Sequence, residues 1–527
     1  MAIKRYTANA DTTITDAFKA DLTTRGTGSN MGLSDSLEVF SIYGQTISGS
    51  GAVKTAEASR ILVNFPISQI STDRTNDDIP ASGSVNFYLK MFNAKHPFTV
   101  PVNFTLSASA VKKDWEEGYG LDMEGYRDET KDSIGANWIN SAANTAWDRV
   151  GGDYDTTFSS SFEQTFEKGT EDLEMNITTL VEQWLSSSVN DPDGTSVGDK
   201  SSARYGLGIH LTSSQEASSS ANLTGSAKSY YTKKFFARGS EYFFKRPILE
   251  ARWDSSKKDN RGAFYYSSSL APAADNLNTL YLYNYVRGQL KDIPDLTSGI
   301  IYLSLYSGSS SNTKPYGPKL NLSVGGDVVA AADLNVTGGY ISTGIYTASF
   351  AFTGSTALTK VFDVWHDDAG TLAHNTNRFF TGTISPNILT ASNYNPNDKY
   401  ITSMPNIKPA YSRNETARYR IYTRKKDWNP TIYTKAVAAP VTEIIEDAYY
   451  KVIRVKDDLT VIDYGTGSLN HTRLSYDVNG NHFDLDMSML QADYMYGMKF
   501  IYYLNGKYIE QPEIFKFRVE KDLNDVE

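Results

Sequence analysis

Through most of this chain apolar and polar residues alternate with a period of two, in short runs divided by Gly, Asn, Asp and Ser, which is the pattern of strands joined by turns. The alternation predicts strands over residues 36–43, 59–65, 84–92, 102–111, 206–212 and 247–253. It resumes over 279–285, 300–306, 344–352 and 360–365. It continues over 416–423, 449–455, 473–478, 499–504 and 514–519, with Asn505-Gly506 as a hairpin turn. One segment departs from this period: Asn176-Ile177-Thr178-Thr179-Leu180-Val181-Glu182-Gln183-Trp184-Leu185 reads as a short helix, with Thr179 and Glu182 at capping-box spacing. In Ala58-Ser59-Arg60-Ile61-Leu62-Val63 the strand pattern runs to both sides of Arg60, which predicts a buried carboxylate partner and a structural role.

The predicted fold class is all-β: an N-terminal jelly-roll-like β-sandwich over 1–254, followed by two smaller immunoglobulin-like β-sandwiches over 262–391 and 399–527. A charged stretch without apolar residues, 255–261, sets the first boundary, and the Asn- and Pro-rich run 392–398 sets the second. No exact internal repeat is present. Residues 112–170, rich in Gly, Asp and Trp and with little periodicity, form an insertion longer than an ordinary sandwich loop. This excursion is the leading candidate for a contact surface.

Composition agrees with that reading. A length of 527 residues implies two to four domains, and 35 Tyr, 24 Phe and 38 Gly suit pleated surfaces joined by frequent turns. With no cysteine, thiolate zinc sites, iron–sulfur clusters, cysteine nucleophiles and disulfides are excluded. A formal charge of -10 spread along the chain argues against nucleic acid as a partner. No run approaches the ~20 apolar residues of a membrane span, and Met1-Ala2-Ile3-Lys4-Arg5-Tyr6-Thr7 lacks the apolar core of a signal peptide. The expectation is no membrane partner and release by lysis.

No catalytic, cofactor-binding or metal-ligating residues are assigned. His366 and His374 flank Asp367 and Asp368, and a solvated loop explains them better than a metal site. Asn190-Asp191-Pro192-Asp193-Gly194 gathers oxygen ligands but lacks the Glu that a twelve-residue calcium loop places at its end, so an ordinary turn is the preferred reading. The carboxylates Asp114, Glu116, Glu117, Asp122 and Glu124 could be drawn as a hydrolase pair, but framework packing and a solvated loop account for them. The interface candidates are Trp115, Tyr119, Tyr126, Trp138, Trp147 and Tyr154, because the excursion offers them no regular sheet face to cover.

Several short elements occur in a fixed order: Ala10-Asp11-Thr12-Thr13-Ile14, Asn30-Met31-Gly32, Leu37-Glu38-Val39 and the 59–65 strand. They continue with Asp114-Trp115-Glu116-Glu117-Gly118, the 177–184 segment, Tyr205-Gly206-Leu207 and Arg246-Pro247-Ile248-Leu249-Glu250. In this series the first 254 residues resemble the DNRLRE (disaggregatase-related) domain, a jelly-roll sandwich found as a carbohydrate-binding module and as a part of large surface structures. The whole architecture is similar to structural proteins of tailed bacteriophages, as are Asn406-Ile407-Lys408-Pro409-Ala410-Tyr411 and Lys426-Asp427-Trp428-Asn429-Pro430. The resemblance implies a non-enzymatic virion subunit, an accessory part of the neck, tail, baseplate or fibre attachment, assembled in the host cytoplasm. Its implied partners are other virion proteins and further copies of itself in a symmetric homo-oligomer. The alternative is an adhesin that recognises a host surface glycan through residues 1–254; a polysaccharide-degrading enzyme is the third class.

Overall fold

The computed structural model describes residues 2–48, 51–96, 99–121, 125–126, 134–155, 162–186, 205–219, 222–294, 296, 299–307, 319–326, 335–352, 358–368, 377–387, 398–428 and 442–521. The Asn190-to-Gly194 turn, His374, Asp122, Glu124 and all but the last residue of the 392–398 boundary lie outside them. The chain divides into two compact units, Ala2–Asp254 and Ser255–Glu527. Both are all-β, built of β-sandwich layers.

In the N-terminal unit a four-stranded sheet runs in the order Ile3–Thr7, Ile248–Arg252, Asn86–Met91, Leu173–Asn176. Its partner layer has eight strands, with the path Phe162–Phe166, Phe104–Val111, Leu207–Leu211, Gly51–Asn64, Ser36–Ser48, Tyr230–Phe236. Ala10–Thr15 and Tyr154–Asp155 pair beside that path. The period-two pattern fixes what faces inward: Ile61 and Val63, Phe104, Leu106 and Ala108, Leu207 and Ile209, and Phe87 and Leu89 meet in one dry core.

Two helices are described in this unit, Ile67–Thr75 and Thr178–Leu185. The second lies where the sequence predicts a helix, but it forms no capping box. Asn176 Oδ1 accepts from the Thr178 amide at 3.0 Å, and Glu182 is drawn away into a paired ion pair with Arg74 of the first helix, at 2.6 and 2.7 Å. A bidentate guanidinium outcompetes a single backbone amide for the carboxylate.

In the C-terminal unit the first sheet follows Asn278–Tyr283, Ile345–Phe352, Val336–Ser342, Ile301–Ser307, Val361–His366, Arg378–Ile384 around a common core of Leu280, Phe350, Val336, Leu303, Trp365 and Ile384. The remaining strands make a four-stranded sheet, Tyr400–Ser403, Thr416–Lys425, Gly480–Asp486, Ser475–Asp477. They also make a six-stranded one, Ala410–Ser412, Phe515–Glu520, Met495–Leu504, Ala448–Arg454, Leu459–Ile462, with Lys507–Glu510 paired to Met495–Leu504. Stacked rings fill this interior: Phe483 lies 4.3 Å from Tyr450 and 5.3 Å from Tyr419.

The polar 255–261 segment is not a free linker. Its backbone bonds to Ser475–Asp477 in a parallel bridge, Tyr476 N–H to Lys257 carbonyl at 3.0 Å and Asp259 N–H to Tyr476 carbonyl at 3.0 Å. The next residue turns to the other sheet, where Asn260 N–H donates to the Thr279 carbonyl at 2.8 Å. Arg261 then makes a two-pronged ion pair with the fully buried Asp363, at 2.7 and 2.5 Å. A stretch without apolar residues is held here by hydrogen bonds and one buried ion pair instead of by packing.

Candidate functional site

The aromatic excursion can be built from the sheet it covers. In Gly51–Asn64, Ile61 and Val63 point to the dry core, so Ala58, Arg60 and Leu62 point the other way. Ile14 and Val111 project from neighbouring strands onto that same outer face, and Trp115, Trp138 and Trp147 close over them with exposures of 8%, 8% and 5%. This corrects the expectation that these three tryptophans serve an interface. They do have a regular sheet face to cover, the second face of the eight-stranded layer. The signal was present in the sequence: Ile61-Leu62-Val63 is apolar at three consecutive positions, as a strand buried on both faces requires.

Tyr154 belongs to this second core. Its ring lies so close over Gly208 that a Cβ there would stand 1.9 Å from the ring, and its hydroxyl donates to the Gly151 carbonyl at 2.9 Å. Tyr126 is half-buried. Tyr119, at 56% exposure, alone of the six interface candidates presents most of its side chain to solvent.

Arg60 reaches into the excursion. Its Nε and one terminal nitrogen each bond Glu216 at 3.0 Å, the other donates to the Gly151 carbonyl at 2.9 Å, and its guanidinium lies 5.3 Å from the Trp138 ring and 5.5 Å from Tyr154. The expected carboxylate partner is thus Glu216, and the same guanidinium pins the excursion to the sheet through the Gly151 carbonyl and the Trp138 and Tyr154 rings. His210, on the same outer face, is pushed down to about 4 by burial and by the Arg60 charge. It is neutral at physiological pH.

A second pin lies where the excursion begins. Asn30 is fully buried and donates to the Glu117 and Ala136 carbonyls, both at 2.8 Å, while its own oxygen accepts from Gly32 at 3.1 Å and Gly120 at 3.0 Å. The backbone passes so near that a Cβ on Gly120 would fall 1.8 Å from the Asn30 carbonyl oxygen, so only glycine fits there. Beside it the Glu117 carboxylate accepts from the Asp11 amide at 2.8 Å and grips Arg238, whose amide bonds Asp11 at 2.6 Å. Burial pushes the Asp11 carboxyl up to about 7, with the nearby Glu117 charge adding to the shift. Asp114 and Glu116 are exposed and take no part in this cluster, so the acidic run is split between framework and solvent.

Other sequence candidates resolve differently. His366 is not in a solvated loop; it is fully buried at the end of Val361–His366, with Nε2 2.8 Å from Ser304 Oγ. Among the described residues no group of three or more His, Asp or Glu is placed to hold a metal ion, and no helix is long and apolar enough to cross a membrane.

A paired, accessible aromatic surface lies elsewhere, on the outer face of the six-stranded sheet. Tyr503 and Tyr508 are 41% and 45% exposed with ring centres 4.8 Å apart, and Tyr449 lies 6.1 Å from Tyr508. Charged neighbours frame them: Glu510 is paired with Lys499 and accepts from the Tyr464 hydroxyl at 3.3 Å, and Lys451 pairs with Asp463 at 3.1 Å. Sequence reasoning assigned this strand but not its surface. The usable signal was Tyr502-Tyr503: adjacent tyrosines in a strand point to opposite faces, so one of them must leave the core.

No protein-family model matches the sequence, and none of the curated proteins matches it. Among solved structures, one described as "Ca2+-stabilized adhesin helps an Antarctic bacterium reach out and bind ice" aligns over 98% of this chain and 100% of its own length, at 9% identity and a TM-score of 0.13. An overlap that low carries no argument about fold or function.

Proposed function

We propose that this chain is a non-enzymatic structural subunit of a tailed-phage virion, with a DNRLRE-like N-terminal unit, acting in the neck, tail, baseplate or fibre attachment through contacts between subunits. The observation that carries this reading is the convergence of the residues behind the resemblance. Asp11, Asn30, Trp115 and Glu117, scattered over more than a hundred positions, meet in two adjoining buried clusters that fasten the excursion to its sheet. Mechanical stiffness follows, because satisfied buried polar groups resist local opening. The 255–261 tie has the same character. Immunogold electron microscopy of particles from a source lysate, with antibody against the recombinant chain, tests the proposal. Label at a fixed place on phage particles is expected; label confined to cell surfaces or free polysaccharide overturns it.

A second reading, an adhesin that holds a host glycan, draws on the Tyr503 and Tyr508 face. Exposed rings beside paired charges are the surface a sugar would stack on. That moves the candidate sugar surface from residues 1–254 to the C-terminal unit. Titration of the full chain with host surface polysaccharide, followed by tyrosine fluorescence, separates it from the first reading: saturable quenching lost in Tyr508→Ala supports the adhesin.

A further inference from the structure

The strands Met495–Leu504 and Lys507–Glu510 form a hairpin closed by Asn505-Gly506, with φ of 51° and 78° at the two turn residues. In a two-residue hairpin of this kind the residues flanking the turn, Leu504 and Lys507, bond each other. The alternation then turns the N–H and C=O of Tyr508 and Glu510 outward, away from Met495–Leu504. Among the described residues no strand lies on that side, and all four residues of Lys507–Glu510 are exposed, with Tyr508 and Ile509 each at 45%. No proline or bulge falls within these four residues, so the outward N–H and C=O groups stay available, while the brevity of the strand and the charges of Lys507 and Glu510 keep any addition weak.

We propose that Lys507–Glu510 pairs antiparallel with the same strand of a second copy of this chain, about a two-fold axis through Ile509, continuing the six-stranded sheet from one protomer into its partner. The symmetry narrows the register. A two-fold axis normal to the sheet carries outer face to outer face, and opposed residues in an antiparallel pair share a face, so only residues of like parity can lie opposite. The register that uses both outward-facing residues sets Ile509 against its own mate, Tyr508 against Glu510, and Lys507 against Gln511. It buries the two isoleucines together, brings a phenol hydroxyl to a carboxylate and opposes no like charges. Sliding two residues one way would set Glu510 against Glu510; sliding the other way would set Glu510 against Gly506 of the turn. In this register the strand is complementary to itself, apolar against apolar and hydroxyl against carboxylate with no like charges opposed, which selects a second copy as the occupant and fixes its register. Four residues a side is a small contact, so the pairing is weak alone and gains strength where other contacts hold copies together. The inference stands on the strand edge and is independent of the virion reading.

The chain contains no cysteine, which gives a direct test on the full-length protein. Ile509→Cys places a single thiol at the axis, in a pair whose Cα atoms would lie about 4.5 Å apart, within disulfide range. Mild oxidation is expected to convert I509C into a covalent dimer, while V478C, a substitution at an equally accessible position, stays monomeric. Sedimentation velocity supplies the second measurement. The unmodified chain should associate as concentration rises. Tyr508→Pro, which removes an outward N–H together with the phenol that faces Glu510 of the second copy, and Ile509→Lys, which opposes two cations, should each weaken association by about tenfold or more, with far-UV circular dichroism unchanged. Cross-linking of I509C no faster than V478C, or association that neither substitution weakens, overturns the proposal.

Discussion

The aromatic residues on two outer sheet faces of this protein meet opposite fates. Over the eight-stranded sheet of the N-terminal unit, Trp115, Trp138 and Trp147 come from an irregular stretch and are buried. On the six-stranded sheet of the C-terminal unit, Tyr503 and Tyr508 come from regular strands and remain exposed. The instinct that loop aromatics contact partners while strand aromatics fill cores fails in both places. What decides is the face beneath. Leu62, Ile14 and Val111 make the first face apolar and in need of cover, whereas Lys499, Lys451 and Glu510 make the second one stable in water.

The contrast breaks most readily at the tryptophans. Trp138→Ala should destabilise the N-terminal unit by about 3–5 kcal/mol, read as a fall in its denaturant midpoint. A loss no greater than that of an exposed residue would mean that the excursion does not cover a core. Next comes Arg60: Arg60→Met alone leaves the Glu216 carboxylate without its partner and should cost about 3 kcal/mol, and adding Glu216→Leu should recover part of that loss in a double-mutant cycle.

A pH dependence sharpens the chemistry beside the excursion. Asp11 titrates near 7 in the folded unit against 3.8 when free, so between those values the native state binds more protons than the unfolded one. Its contribution to stability is complete below pH 3.8 and is lost as pH rises through about 7, at up to about 1.4 kcal/mol per pH unit. His210, held down to about 4, has the opposite sign: its contribution is present above 6.5 and is lost as pH falls toward 4. The net profile mixes the two, so the measurement is the difference between wild type and Asp11→Asn across this window. That difference should slope with pH, and a flat one would place Asp11 in water. The smallest effect belongs to the tyrosine face, where Tyr503→Ala should change stability by no more than about 0.5 kcal/mol, while iodination of the native protein should modify Tyr503 and Tyr508 and spare the buried Tyr502.

Much of the fold was legible. The predicted 102–111, 344–352 and 514–519 segments agree with Phe104–Val111, Ile345–Phe352 and Phe515–Glu520 to within two residues, and Asn505-Gly506 turns with both φ values positive. Among the strands that escaped, Gly480–Asp486 supplies Phe483 and Leu485 to the core, but His482 and Asp484 beside them hide the alternation. Ile67–Thr75 was missed because its sequence, Ile-Ser-Gln-Ile-Ser-Thr-Asp-Arg-Thr, has little apolar face to detect. The candidate site was legible by residue and not by role, since the aromatics were found while the face that buries Trp115, Trp138 and Trp147 was not.

Residue order alone specifies the all-β class, many of the longer strands and their inward faces, because side-chain direction along a strand is set by covalent geometry and needs no distant partner. Long-range packing sets that Glu216 answers Arg60, that Asn30 and Glu117 anchor the excursion, that 255–261 is a tie, and which tyrosines stay in water. Each of these rests on pairs far apart in sequence, and a polar residue's role depends on what stands within about 3 Å of it, which the order of residues does not specify.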